Sequence, residues 1–287
     1  MIPSFVITFR ETLEAALIVG IVLGYLGRTN QRRYRPSVYL GVLFGVVASA
    51  IGALAFERLA GGFAGTAEQV FEGITMLVGA ALLTTMIFWM MGQKHIADEL
   101  RQRVAAEVAQ ARRLGLFALV FMAVLREGIE TVIFLGAASF AAGGSSLLGG
   151  AAGVVAAIVL GYVIFIGAMK VNLRTFFNVT SVVLILFAAG LVAHGVHELQ
   201  EAGMVPTLVE HVWDINPAVT PDGSYPLLHE NGYVGSFLKA LLGYNGNPSL
   251  LEVTSWAAYL ALVSLAWRAR ENAFSPRQLQ SQNERRP

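Results

Sequence analysis

The chain contains no cysteine and few charged residues, and both deficits narrow the kinds of protein it belongs to. Without cysteine it has no disulfide, iron–sulfur cluster or thiolate-bound metal, so any metal site must use oxygen or imidazole ligands. Charged residues make up only 14% of the sequence, apolar residues make up 55%, and the mean hydropathy is +0.62. This composition is too apolar for a soluble domain and predicts an all-α polytopic membrane protein in a lipid bilayer.

The sequence also lacks the motifs of common catalytic and nucleotide-binding sites. It has no glycine-rich phosphate loop with its lysine, no Ser/His/Asp order and no zinc-protease spacing. We therefore expect that the protein is not an enzyme, holds no permanently bound cofactor, and binds neither a nucleotide nor a nucleic acid. The N-terminal segment lacks a basic region and a cleavage site, so we expect a retained helix rather than a signal peptide.

Seven apolar stretches are long enough to cross a bilayer as helices. They cover residues 2–27, 37–59, 68–92, 114–140, 147–169, 175–199 and 251–270. Lysine and arginine are concentrated after the first, third, fifth and seventh stretches, and the other loops contain few of them. The positive-inside rule therefore predicts that the N-terminus lies outside the membrane and the C-terminus inside.

An Arg-Glu-x-x-Glu motif occurs inside two of these stretches. Its residues are Arg10, Glu11 and Glu14 in the first stretch and Arg126, Glu127 and Glu130 in the fourth. Each charge costs roughly 2.5–3.5 kcal/mol near the centre of a membrane helix, so two copies indicate a functional site. On a helix the three charged residues of one copy fall within an arc of about 100°.

The two motif copies are 116 residues apart and have three spans between their starting points. The second copy therefore runs in the opposite direction, which predicts a 3+3 inverted-topology repeat plus one helix, with a site near the membrane midplane. The predicted units are residues 1–92 and 114–199 for the two repeats, 93–113 for a cytoplasmic amphipathic helix, 200–250 for an external loop, 251–270 for the seventh span and 271–287 for a cytoplasmic tail.

Four carboxylates and two arginines converge if the two motif helices meet. The residual negative charge and the hard oxygen ligands suit Fe³⁺, Fe²⁺, Mn²⁺ or Mg²⁺. Arg10 and Arg126 would then fix the rotamers of the carboxylates and reduce their mutual repulsion when no ion is bound. The alternative is that each Arg–Glu pair is only an internal salt bridge that holds helices together.

A second group of candidate ligands lies at the outer ends of two spans. It comprises Glu68 and Glu72 at the start of the third span and His194, His197, Glu198 and Glu201 at the end of the sixth. We expect Glu72, His197, Glu198 and Glu201 to capture metal at the entrance, with His194 and Glu68 in support. The alternative is an ordinary polar helix end in the headgroup region.

At these residues the chain resembles the oxidase-dependent iron transporter family, which comprises the high-affinity iron permeases of fungi and their bacterial EfeU-like relatives. The two motif copies carry the resemblance, together with residues 195–203 and 238–248, and Thr12 departs from the usual glycine. The resemblance implies that an external ferroxidase converts Fe²⁺ to Fe³⁺ and passes it to the permease. It also implies that the motif glutamates carry the iron ion and that the external loop docks this partner.

These observations lead to the hypothesis of an iron permease in a bacterial cytoplasmic (inner) membrane. The first alternative is an oxidase-independent, proton-coupled importer of Fe²⁺ or another divalent metal such as Mn²⁺ or Pb²⁺. The second alternative is a membrane anchor or sensor that binds metal without transporting it.

Overall fold

A computed structural model describes residues 2–92, 96–142, 144, 147–165, 173–220 and 224–273, and these residues form helices and loops without a β-strand. The helices are α1 (Ile2–Arg28), α2 (Arg35–Ala60), α3 (Thr66–Gly92), α4 (Ile96–Ala109), α5 (Arg113–Ala142), α6 (Leu147–Phe165), α7 (Leu173–Glu201), α8 (Tyr233–Leu242) and α9 (Leu250–Ala273). The predicted all-α class is confirmed. Most of the predicted tail at 271–287 lies outside the described residues.

Seven of these helices overlap the seven apolar stretches of the sequence. Five are long and apolar enough to cross a membrane, at Arg32–Ala60, Thr66–Met90, Leu147–Ile164, Asn178–Glu201 and Leu250–Arg270. The other two, α1 and α5, have 27 and 30 residues and therefore lengths of about 40 and 45 Å, which exceed the hydrocarbon core of a bilayer. They differ from the five because each contains the three charges of one motif.

The helices divide into an inner and an outer set. The main buried cluster comes from α1, α3, α5 and α7, whereas α2, α6 and α9 expose large apolar side chains such as Leu43, Ile51, Val155, Val159 and Leu262. Apolar surface of this extent is stable only against lipid or another protein. The outer helices therefore cover part of the motif-bearing helices, while α5 still exposes Met122 and Ile129.

Helix α2 packs closely along α5 because two glycines leave room for valines of α5. A Cβ atom built at Gly41 would lie 3.0 Å from Cβ of Val120, and one at Gly45 would lie 2.8 Å from Cβ of Val124. Both contacts advance by four residues along each helix. The two helices therefore run in the same direction.

Helix α6 packs along α1 in the same manner. A Cβ atom at Gly153 would lie 2.9 Å from the backbone nitrogen of Phe9 and against the hydroxyl of Thr8, and one at Gly161 would lie 3.2 Å from Cβ of Ala16. These contacts advance by eight and seven residues along the two helices, so α6 and α1 also run parallel. Each motif helix thus has one parallel neighbour that approaches through glycine.

The short helix α4 is not an isolated surface helix. The predicted apolar face, represented by Leu100, Val104 and Val108, packs into a cluster with residues of α1, α2 and α5 such as Val22 and Leu116. Val104 is completely buried in this cluster. Helix α4 therefore covers the C-terminal half of α1 and the N-terminal half of α5.

Helix α8 enters the bundle from the opposite side. It contacts α1, α5 and α7, and it ends at Leu242, followed by the capping residue Gly243 with a φ of +71°. A Cβ atom at Gly190 would lie only 2.7 Å from the nitrogen of Gly243, so the two backbones touch. Gly190 is about 16 Å along the α7 axis from Glu201, so α8 reaches well into the bundle.

Candidate metal site

The two motif copies lie near the middle of α1 and α5, where these helices pack against each other. One carboxylate oxygen from each of Glu11, Glu127 and Glu130 lies within 4.8 Å of the other two. Opposite ligands of a six-coordinate ion with metal–oxygen bonds of about 2.1 Å are about 4.2 Å apart. Small side-chain movements therefore suffice for the three oxygens to bind one ion.

Each of these three carboxylates has a buried oxygen with unused hydrogen-bonding capacity. Glu11 is 1% exposed and Glu127 is 5% exposed. Oε2 of Glu11, Glu127 and Glu130 is buried and accepts no hydrogen bond from the residues that the structure describes. Buried polar atoms are nearly always satisfied, so three such oxygens in one place make this cluster a candidate cation site.

Arg10 holds the fourth motif carboxylate. It is completely buried, and its guanidinium lies 3.1 Å from Oε1 of Glu14, 3.5 Å from Oε1 of Glu11 and 3.6 Å from Sδ of Met90. The sequence predicted four convergent glutamates, whereas the structure groups three and pairs Glu14 with Arg10. The reason is the i, i+4 spacing of Arg10 and Glu14, which places their side chains over each other on the helix.

Arg126 has a different environment from Arg10. Nε of Arg126 lies 2.8 Å from Oε1 of Glu130, but the arginine side chain is 49% exposed. Its guanidinium carbon lies 5.1 Å from the ring centroid of Trp89, which is cation–π distance. Sequence reasoning missed Trp89 and Met90, because only the packing of the C-terminal end of α3 brings them to the motifs.

The second group of candidate ligands lies beside a backbone contact between α3 and α7. A Cβ atom at Gly73 would lie 2.9 Å from the carbonyl oxygen of Gly195, so the two backbones are in contact there. Nε2 of Gln69 donates a 3.0 Å hydrogen bond to Oε2 of Glu201. The carboxylate of Glu72, which precedes Gly73, is repelled by the carboxylates of Glu198 and Glu68.

His197 contacts a carboxylate with each of its ring nitrogens. Its Nε2 lies 3.2 Å from Oε1 of Glu201, and its Nδ1 lies 3.1 Å from Oε1 of Glu252. The buried His194 binds the carbonyl of Gly190 through Nδ1 at 2.9 Å, and its Nε2 has no hydrogen-bond partner among the described residues. The outer group therefore offers two imidazoles and several carboxylates at one end of the bundle.

Glu252 was not among the residues that the sequence predicted for this site. The segment Ser249-x-x-Glu252 has the spacing of a capping box, and the structure shows its hydrogen bonds at the start of α9. That spacing predicts where a helix begins. It carries no information about His197, which lies in another helix.

Known protein families include clear relatives of this chain. Residues 1–271 match the iron permease FTR1 family. The ferrous iron permease EfeU of Escherichia coli O157:H7 is 33% identical over 283 residues, which cover 96% of this chain and 99% of that protein. The EfeU of Yersinia pestis is 35% identical over 264 residues, which cover 91% and 90% of the two chains. No solved structure matches the chain. The chain belongs to the iron permease FTR1 family and is a multi-pass membrane protein of iron transport.

Proposed function

We propose that this protein imports iron across the cytoplasmic membrane through a central site formed by Glu11, Glu14, Glu127 and Glu130. The observation that carries the proposal is the trio of buried carboxylate oxygens within 4.8 Å of one another. Buried carboxylates repel one another and prefer a cation between them. Iron is the cation that the family transports, and oxygen ligands suit it in either valence.

The two arginines compensate the site when iron is absent. Arg10 neutralises part of the charge of Glu14 and Glu11 at contact distance, and Arg126 does the same for Glu130. Four carboxylates and two guanidinium groups leave a formal charge near −2. An arriving iron ion competes with Arg10 for Glu14 and adds this carboxylate to the three that already converge.

The proposal includes a seven-span protein with an inverted repeat, in which α1–α3 correspond to α5–α7 and α9 is the seventh span. A sequence similarity supports this correspondence: Leu-Gly-x-x-x-Gly-Val-Val-Ala occurs at 40–48 in α2 and at 148–156 in α6. The second glycines of the two copies, Gly45 and Gly153, contact Val124 and Thr8 respectively. Thr8 and Val124 are themselves 116 residues apart, which is the offset of the two motifs.

The proposed orientation places the N-terminus outside and the C-terminus inside. The outer group of Glu72, His197, Glu198 and Glu201 then faces the external solution and captures iron, with His194 and Glu68 beside it. Iron moves from there to the central site and leaves inward when the two repeats rearrange. The positions of α8 and α4 support this route, because each contacts both motif helices, one from each end.

The valence of the transported iron separates two versions of the proposal. The family resemblance favours Fe³⁺ that an extracytoplasmic ferroxidase or iron-delivery protein passes to the outer group. The name of the relatives, ferrous iron permease, favours Fe²⁺, and the second version is direct import of Fe²⁺ or another divalent ion, coupled to protons. Uptake of supplied Fe²⁺ without oxygen and without a partner protein supports the second version, and strict dependence on both supports the first.

Radioactive iron uptake into proteoliposomes tests the central site. We expect Glu14→Ala and Glu130→Ala to abolish uptake, and Glu57→Ala, which removes an exposed carboxylate of α2, to leave it unchanged. Normal uptake by both motif variants would disprove the central site. Counterflow of unlabelled and labelled iron distinguishes a transporter from a metal-binding anchor or sensor, since an anchor shows none.

A further inference from the structure

Glu252 is a buried carboxylate whose hydrogen bonds converge from three directions. It is only 2% exposed. Its Oε1 accepts hydrogen bonds from the backbone nitrogen of Ser249 at 2.9 Å and from Nδ1 of His197 at 3.1 Å. Its Oε2 accepts from Nδ2 of Asn245 at 2.8 Å. This carboxylate therefore acts only as an acceptor and has a fixed orientation.

The contact with Glu252 determines which nitrogen of His197 carries hydrogen. A carboxylate acceptor requires a proton on Nδ1. The protonated ring also donates from Nε2 to Oε1 of Glu201 at 3.2 Å. Loss of the Nε2 proton leaves an electron pair on the side of Glu201, where a metal ion can take the place of that proton. Adjacent ligands of a metal with bonds of about 2.1 Å are roughly 3.0–3.4 Å apart, so the two atoms have the spacing of neighbouring ligands.

The ring nitrogen and the carboxylate are also accessible to the solution. His197 is 38% exposed and Glu201 is 50% exposed, in contrast to Glu252. The buried His194 adds an Nε2 without a hydrogen-bond partner one turn away on the same helix. The group thus has an exposed ligand pair at the surface and a rigid support behind it.

We propose that Glu252 is a positioning residue of the outer capture site, where it holds His197 with Nε2 directed at the incoming metal ion. In metalloproteins a carboxylate behind a ligating histidine sets the tautomer and raises the basicity of the ring, and its loss typically costs about 10–100-fold in metal affinity or activity. The proposal rests on the proposed function of the outer group. It also gives α9, which lies outside the repeat, a role in iron uptake.

A purely structural role for Glu252 is the obvious alternative, because Ser249 and Glu252 form a capping box. The two roles separate on substitution. Glu252→Gln keeps a capping-box residue but removes the negative charge behind His197. Ser249→Ala removes the cap hydroxyl, which accepts a 3.2 Å hydrogen bond from the backbone nitrogen of Glu252. It keeps the carboxylate of Glu252.

The experiment measures the concentration dependence of iron uptake in proteoliposomes and the binding of Co²⁺ to the purified full chain by its d–d absorption. If Glu252 positions His197, Glu252→Gln raises the KM about tenfold or more at nearly unchanged maximal rate and weakens the Co²⁺ bands. Ser249→Ala lowers the melting temperature but leaves KM and the Co²⁺ spectrum as they are. His197→Ala serves as the reference for complete loss of the imidazole.

The outcomes separate this inference from the proposed function. If His197→Ala raises the KM and Glu252→Gln does not, the positioning role is wrong and the capture site stands. If neither variant changes the KM or the Co²⁺ bands, the capture site itself is wrong. If Glu252→Gln and Ser249→Ala lower the melting temperature equally and leave both metal readouts unchanged, Glu252 only caps α9.

Discussion

Arg10 and Arg126 occupy the same position of the two motifs, but Arg10 is completely buried whereas Arg126 is 49% exposed and lies over Trp89. The motif alone does not distinguish them. The difference arises from their surroundings, since α3 contributes Met90 to one arginine and Trp89 to the other. The two halves of the proposed site therefore have unequal electrostatics.

We expect Arg10→Ala to destabilise the protein far more than Arg126→Ala. Loss of Arg10 leaves Glu11 and Glu14 buried without compensation, and breaking a buried ion pair costs about 3–5 kcal/mol. Arg126 makes a half-exposed ion pair and a cation–π contact, which together contribute about 1 kcal/mol. Thermal unfolding in detergent measures the difference.

The exposed Arg58 of α2 provides the control, because Arg58→Ala removes a positive charge away from the motifs. Its melting temperature should equal that of the unsubstituted protein. Equal losses for Arg10→Ala and Arg126→Ala would show that burial of Arg10 does not determine its contribution.

We expect Glu127→Gln to stabilise the protein while it abolishes iron transport. Glutamine has the same shape as glutamate but no charge, so the change reduces the repulsion among the buried carboxylates of the motifs. The free energy of unfolding should therefore rise. The same change removes an anionic ligand, so iron uptake should fall at least tenfold. The two measurements are the melting temperature in detergent and initial uptake rates in proteoliposomes.

A variant that is more stable but less active is typical of a functional site, where residues needed for binding lower the stability of the protein. The exposed carboxylate of Glu57 provides the matched control, because Glu57→Gln removes the same charge outside the site. A lower melting temperature for Glu127→Gln would instead indicate that this carboxylate is a structural ion-pair partner.

Much of the helical framework was predictable because each membrane segment is a long apolar run bounded by polar residues. The predicted stretch at 37–59 differs from α2 by only two residues at its start and one at its end. The convergence of Glu11 with Glu127 and Glu130 followed from the repeated motif in two helices. These predictions depend on local pattern and spacing, which a single sequence contains.

The remaining features depend on which helices pack together. The insertion of α8 beside Gly190 requires a backbone contact with Gly243, 53 residues away in the sequence. The sequence offers several possible partners for Glu252 and for Glu14, and only the packing selects His197 for the first and Arg10 for the second. Hydrophobic periodicity does not distinguish such partners, because it reports only which side of a helix is buried.

We expect Gly45→Ala and Gly153→Ala both to destabilise the protein. At Gly45 the added methyl group meets Cβ of Val124 at 2.8 Å, and at Gly153 it meets the hydroxyl of Thr8 and, at 2.5 Å, the carbonyl oxygen of Phe5. Overpacking of this kind typically costs about 1–3 kcal/mol. Melting temperatures of the two variants in detergent measure the effect.

Gly24 and Gly52 provide matched controls within helices, because an added Cβ at either position meets no atom within 4 Å. Alanine there should stabilise the helix by about 0.5–1 kcal/mol. A large loss for Gly45→Ala with none for Gly153→Ala would contradict the equivalence of the α2–α5 and α6–α1 contacts.

We expect single cysteines to report the proposed orientation directly, because the chain has no native cysteine to remove. Thr29 lies exposed after α1, and Ala64 lies exposed between α2 and α3. With the N-terminus outside, a membrane-impermeant maleimide labels Ala64→Cys in intact spheroplasts and labels Thr29→Cys only after permeabilisation. Labelling in the opposite order would invert the topology and place the outer group of His197 and Glu201 on the cytoplasmic side, where these residues would release iron rather than capture it.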